Sequence, residues 1–195
     1  MQDLPRKNKF FALGEITKQE EVQNLTSSSF SVYLNNHVQK IKSVEELVRI
    51  PQKGEIFFLQ SEKAFNAFTF IPWLAKNYFI EEIFASTYSI SRRVVEAIQQ
   101  MQSSGQIGEV TLLISDSMPK RNPKTVDVIE AVANGNPNFN IKYHWNHSKV
   151  SLIKTKEFWL ILEGSGNWSE NAQVEQYVFA NDENVYNFRK QIFEL

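Results

Sequence analysis

Residues 80–115 read IEEIFASTYSISRRVVEAIQQMQSSGQIGEVTLLIS. Ile80 to Ser86 is an apolar run of strand length. Ser91 stands where a helix N-cap belongs, and Val94, Val95, Ile98 and Met101 recur at helical spacing. Gly105 supplies a stop, and Glu109 to Ser115 is a second short apolar run. Strand, helix and strand in succession form the repeating unit of α/β proteins.

The rhythm extends in both directions. Upstream, Glu55 to Gln60 reads as a buried strand and Glu62 to Tyr78 as a helix kinked at Pro72. Ser43 to Ile50 reads as a helix capped by Ser43 and ended by Pro51. Downstream, Lys124 to Gly135 is a predicted helix and Asn140 to Trp145 a strand. Such alternation predicts an α/β fold with a mixed, mostly parallel sheet and helices on both faces. Ligands of such sheets sit at the carboxyl ends of the strands. Residues 1–50 are poorly assigned: Asn24 to Ser29 reads as a polar loop and Phe30 to Leu34 as a short strand. The whole chain, 1–195, is expected to form a single domain.

After Trp145 the rhythm changes. SKVSLIK (148–154) and FWLILEG (158–164) flank a short polar TKE, which predicts a hairpin. Val174 to Ala180 adds a strand, and Asn184 to Leu195 a closing helix with Val185, Phe188 and Ile192 facing inward.

Composition narrows the functional classes. The chain is 42% hydrophobic and 22% charged, an ordinary globular balance. There is no cysteine, so disulfides, thiolate metal sites and cysteine nucleophiles are excluded. The net charge of −1 gives no global basic field, so a polyanion must be held by a local patch. No segment reads as a signal peptide or membrane span, which predicts a soluble cytoplasmic protein with no membrane partner. Asn24, Asn146 and Asn167 open glycosylation sequons that read as chance matches.

Chemistry concentrates around the predicted hairpin. A turn on Thr155 and Lys156 sets Lys154 opposite Glu157, Leu152 opposite Trp159 and Val150 opposite Ile161. Continued, it brings His147 opposite Gly164, beside Ser165, Gly166 and Asn167. Side chains alternate along a strand, so His147 and Lys149 share a face and Ser148 turns away. The two glycines let backbone approach a ligand closely. A lysine charge and asparagine N–H groups neutralise phosphate oxygens, and a neutral imidazole can attack phosphorus. This chemistry calls for no metal and no cofactor.

His147-Ser-Lys149, then Gly164-Ser165-Gly166-Asn167 and Glu175, resembles the HKD motif of the phospholipase D superfamily. That family reads His-x-Lys, four residues, Asp, then Gly-Ser-x-Asn. The resemblance implies a phospholipase D-like α-β-α sandwich and metal-independent phosphodiesterase chemistry through a phosphohistidine. It assigns His147 as nucleophile, Lys149 and Asn167 to the phosphate, Ser165 as support and Glu175 to orient a histidine. The chain departs from the pattern twice: Lys154 stands where the family has aspartate, and only one motif is present. Single-motif relatives are small dimeric endonucleases, so a homodimer is expected, with two copies of His147 meeting at its axis.

Loop cations follow two strand ends: Arg92 and Arg93, then Lys120, Arg121 and Lys124. Each cation near a phosphate backbone strengthens salt-dependent binding. Trp145 and Trp168 flank the motif and are candidates to stack on a base. Together they favour DNA or RNA as substrate. Two readings stay open: a nuclease, or a nucleic-acid-binding module of the same fold with weak or lost catalysis. A lipid phosphodiesterase stands third.

Overall fold

The computed structural model describes residues 38–63, 65–169 and 173–194. The readings for 24–34 lie outside them. Among the described residues eight strands form one sheet: β1 (Val38–Ile41), β2 (Ile56–Ser61), β3 (Ile80–Thr87), β4 (Ile107–Ser115), β5 (Phe139–His144), β6 (Val150–Thr155), β7 (Trp159–Gly164) and β8 (Gln176–Asn181). Among the described residues five α-helices accompany it: α1 (Phe70–Ala75), α2 (Arg92–Ser103), α3 (Met118–Arg121), α4 (Pro123–Gly135) and α5 (Glu183–Lys190).

The strand order is β1-β2-β8-β7-β6-β3-β4-β5. β3, β4 and β5 run parallel, joined over α2 and α4 as the sequence rhythm predicts, and β1 is parallel to β2. The four central pairings, β2–β8, β8–β7, β7–β6 and β6–β3, are antiparallel. The expectation of a mostly parallel sheet is therefore corrected. Short links join β6, β7 and β8, and such links permit only antiparallel neighbours. This meander inserts between β2 and β3 and reverses the direction of the sheet centre.

Strand alternation splits the core in two. Leu112, Ile114, Ile153, Leu160, Leu162 and Phe179 face a large cluster with α1, α2 and α4. Leu113, Val150, Leu152, Ile161 and Ala180 point the other way, onto Tyr186 and Phe193 at the carboxyl terminus. Helices thus lie on both faces, unequally. Each fully buried large apolar side chain stabilises by about 1.5–3 kcal/mol.

Other local expectations change for identifiable reasons. Only Val44–Glu46 forms a helical turn within 43–50, Ser43 makes no side-chain cap, and Leu47 is extended. The Arg49 guanidinium instead grips the Glu55 carboxylate at 2.5 and 3.0 Å. None of the described residues from Glu62 to Asn66 is helical, and Pro72 lies in the first turn of α1 rather than at a kink. A missing N–H is harmless there. β2 is buried on one face only: Phe57 and Leu59 are covered, whereas Ile56 and Phe58 are about two-fifths exposed. In α5 the inward residue is Tyr186, and Val185 and Phe188 are exposed. By contrast α2 matches its prediction: Ser91 caps it through Val94 N, its four apolar residues are buried, and Gly105 follows with φ of 72°.

The hairpin register is slipped by two residues. Lys154 pairs with Trp159, Leu152 with Ile161 and Val150 with Glu163. A slip of two leaves every side chain on its expected face, because the strand period is two.

Candidate active site

The motif residues gather at one edge of the sheet, where β3, β4, β5 and β7 end and β6 and β8 begin. His147 and Lys149 lie on the segment entering β6. Ser165 and Asn167 lie on the segment leaving β7, and Glu175 precedes β8. Asn146 anchors the first segment. Its Oδ1 accepts from Ser148 N at 2.9 Å and Ser148 Oγ at 2.6 Å, and its Nδ2 donates to Ser86 Oγ at 2.8 Å. The Ser86 and Ser148 hydroxyls meet at 2.5 Å. Ser148 is therefore turned inward, as alternation predicts. The Gly164 N–H donates to Lys149 O at 3.3 Å, tying the two segments together.

His147, Lys149, Ser165 and Asn167 line one cleft of about 650 Å³ with Glu163 and Arg189. Lys149 Nζ lies 3.3 Å from His147 Nδ1 and 3.1 Å from His147 O. Partial burial pushes the Lys149 ammonium below its usual pKa, and the Glu175 carboxylate opposes that shift. Asn167 Oδ1 accepts from Thr87 Oγ1 at 3.4 Å, and its side-chain N–H groups bond to no described residue. Ser165 Oγ donates to Glu175 and accepts from Gln176 N at 3.1 Å. Among the described residues the Glu175 carboxylate meets Ser165, not His147. A larger groove of about 960 Å³ adjoins along Gly164, Ser165 and Glu175, and neither His147 nor Lys149 lines it.

The glycines of the motif serve the fold. A Cβ on Gly166 would strike the Tyr177 hydroxyl, and one on Gly164 would strike Gln176 O and the Tyr177 ring. Close approach of β8, rather than of a ligand, is what demands glycine here. Tyr177 is pinned by donation to Phe65 O at 2.9 Å.

Several contributors escaped the sequence reading. Tyr88, just beyond β3, places its ring 4.7 Å from the His147 ring with 46° between planes. The Arg121 guanidinium covers the Tyr88 ring at 4.0 Å and donates to Tyr88 O at 2.9 Å and Ser117 Oγ at 3.1 Å. Arg189 of α5 grips Glu163 at 2.5 and 3.0 Å on the cleft wall. A tyrosine after a strand and an arginine in a terminal helix carry no motif, so only the sheet order reveals them.

Of the predicted substrate contacts, Arg121 is joined to His147 through Tyr88. Arg92 pairs with Glu96 at 2.7 Å on an exposed helix face, and Arg93, Lys120 and Lys124 are exposed. Trp168 corrects its prediction. It is 1% exposed and donates its indole N–H to Ser151 Oγ at 3.0 Å, so its ring fills the core and offers no face to a base. Trp145 is 88% exposed. Lys154 lies at the opposite end of β6, 3.4 Å from Glu81 and against the Trp159 ring. The departure at the motif aspartate is therefore remote from the cleft. Among the described residues no three His, Asp or Glu side chains gather as a metal site, and no helix is long and apolar enough to cross a membrane.

No family model and no curated protein matches the sequence. The backbone does match solved structures. A polyphosphate kinase from Porphyromonas gingivalis superposes with a TM-score of 0.55, at 13% identity, over 71% of this chain and 25% of that one. That kinase is a member of the phospholipase D superfamily. The fold is phospholipase D-like. The phospholipase D-like body thus spans about a quarter of the kinase's length. Looser likenesses carry no weight beside it. TrmBL2, an archaeal chromatin protein, gives 0.43 at 9% identity over 72% of this chain and 51% of that one. A phosphatidylserine synthase from Haemophilus influenzae Rd KW20 gives 0.46 at 11% identity over 69% and 36%.

Proposed function

We propose that the protein is a metal-independent phosphodiesterase, acting on DNA or RNA at a homodimer interface. The observation that carries this reading is the convergence of His147, Lys149, Ser165 and Asn167 on one cleft of a phospholipase D-like fold. His147 Nε2 attacks phosphorus and expels the leaving oxygen, giving a phosphohistidine that water then hydrolyses. Lys149 and the Asn167 N–H groups neutralise the phosphoryl oxygens as charge builds in the transition state. The leaving oxygen needs a proton, and the single motif supplies one histidine. The second comes from the partner's copy of the same residue. Ser165, held by Glu175, lines one wall, and the exposed cations Arg92, Arg93, Lys120 and Lys124 follow the strand ends at this edge, where a nucleic-acid backbone would run.

The competing reading, a binding module, draws on Lys154: its place in the motif belongs to an aspartate. The remoteness of Lys154 from the cleft weakens that argument. Plasmid and single-stranded oligonucleotides incubated with the protein in EDTA decide between them, with His147→Ala alongside. Cleavage by the parent alone, and light scattering that reports a dimer, are expected. Equal binding by both proteins with no cleavage overturns the enzyme in favour of the module.

A further inference from the structure

A carboxylate in a cleft that holds phosphate demands an explanation, and Glu163 is one. It stands opposite Val150 on β6 and Val178 on β8, so it shares the Val150 face of the sheet, the face that Tyr186 and Phe193 cover. With His147, Lys149 and Asn167 it lines the same cleft. Its charge is met from the carboxyl-terminal helix. Arg189 Nε and Nη2 donate to the two Glu163 oxygens at 2.5 and 3.0 Å. The Arg189 Nη1 hydrogens bond to no described residue, and Arg189 also lines the cleft. The helix that carries this guanidinium is pinned on either side of it. Tyr186 donates to Glu82 at 3.0 Å and Lys190 donates to the same carboxylate at 3.1 Å. The pair is therefore fixed in place, and partly buried charges are only weakly screened by salt.

We propose that the Arg189–Glu163 pair sets the charge of the ligand that the cleft accepts, holding a singly charged phosphodiester in preference to a doubly charged phosphomonoester. This rests on the phosphodiesterase reading and adds the specificity of the same site. Arg189 offers its remaining N–H groups to a phosphoryl oxygen, beside Lys149 and Asn167. Glu163 offsets the charge that Arg189 brings. Among the described residues Lys149 is then the cleft cation with no carboxylate bonded to it, and it meets the single charge of a diester. Glu175 lies behind Ser165, and its carboxylate also opposes a second negative charge. A monoester carries that second charge above its second pKa of about 6. Attack on a diester, followed by hydrolysis of the phosphohistidine, leaves just such a monoester. The pair that tolerates the substrate therefore repels the product and clears the cleft for the next turnover.

Methyl phenyl phosphate and phenyl phosphate share one ring and differ by one charge at pH 8. Each is titrated into the full chain, with binding read from the Asn167 side-chain N–H signals in ¹H–¹⁵N spectra and the diester checked as intact by ³¹P. The deciding quantity is the ratio of the two dissociation constants. The parent is expected to bind the diester more tightly. Glu163→Gln keeps the shape and one acceptor for Arg189 but removes the charge, so it should tighten the monoester by about tenfold and the diester by less. Arg189→Gln leaves the carboxylate bare and should weaken both, the monoester more. The double variant should return the ratio toward the parent's. A pair that only braces α5 would lower stability and leave the ratio alone, so a ratio unmoved by Glu163→Gln overturns the proposal. A parent that prefers the monoester overturns it too. If neither compound shifts the Asn167 signals of the parent, the phosphate site itself fails, and the charge preference falls with it.

Discussion

The Tyr88 and His147 rings lie 4.7 Å apart, centroid to centroid, with 46° between their planes. That contact crosses from the end of β3 to the segment entering β6, and it gives the imidazole a wall on one side. Contacts of this geometry position as well as stabilise.

Tyr88→Phe keeps the wall and should leave kcat close to the parent value. Tyr88→Leu should lower kcat by roughly tenfold, with a smaller change in KM, because a nucleophile displaced by a fraction of an ångström loses its alignment. Equal activity in both variants would remove Tyr88 from the positioning of His147. Steady-state cleavage assays supply the comparison.

The alkaline limb of the pH–rate profile should report Lys149. Its ammonium, the charged form that the phosphate needs, is held below the usual lysine pKa by burial. The charge is therefore complete below that lowered pKa and is lost as pH rises through it, so activity falls before a free lysine would deprotonate. Lys149→Arg keeps its charge throughout this range and should flatten the limb, at a lower maximum rate because the guanidinium does not reproduce the point charge. A limb unmoved by that substitution would assign it to another group.

Trp168 is predicted to matter for stability rather than for binding. Trp168→Phe leaves Ser151 without its partner and should cost about 1–3 kcal/mol. Trp168→Ala opens a cavity and should cost about 3–5 kcal/mol. Urea unfolding measures both. Oligonucleotide affinity of folded Trp168→Phe should match the parent, and a large loss of affinity would restore the indole as a contact.

Stability should decline above about pH 10. Burial, with Glu82 beside it, pushes the Tyr186 phenol well above the usual tyrosine range, and burial does the same for Tyr177. Tyr143 is pushed up to about 12. A group whose folded pKa is raised contributes fully below its unfolded pKa. The folded chain keeps these protons while the unfolded chain releases them, so stability falls as pH climbs from there. Tyr186→Phe removes one such group and should make the fall shallower, while losing the bond to Glu82 at 3.0 Å. Denaturant midpoints measured across the alkaline range test this, and an unchanged slope would exclude Tyr186 as a contributor.

The β3–α2–β4 unit and the β6–β7 hairpin were legible because local signals agree there. Cap, apolar spacing and glycine stop all define α2, and the polar TKE defines the β6–β7 hairpin. The sheet direction was not legible. Nothing in the residues of β2 says that its neighbour is β8, some 120 residues away, rather than β3. Pattern also misled at α5, where Val185 and Phe188 have helical spacing and yet face solvent because Tyr186 is anchored by Glu82. At the site, the residues carrying chemical types were readable. Their supports were not: Ser86, Tyr88 and Arg189 acquire meaning only from strand order, and Arg121, read as a substrate cation, is found holding Tyr88.

The meander of β6, β7 and β8 lies within one stretch of chain, so its pairings close short loops and are of the kind that form early in folding. The imidazole's supports do not share that advantage. Ser86 reaches Ser148 across 62 residues, and Thr87 reaches Asn167 across 80. A nascent chain that has paired these three strands therefore possesses the motif without its setting. Competence arrives only when β3 docks, and a fragment carrying the meander alone would be chemically silent.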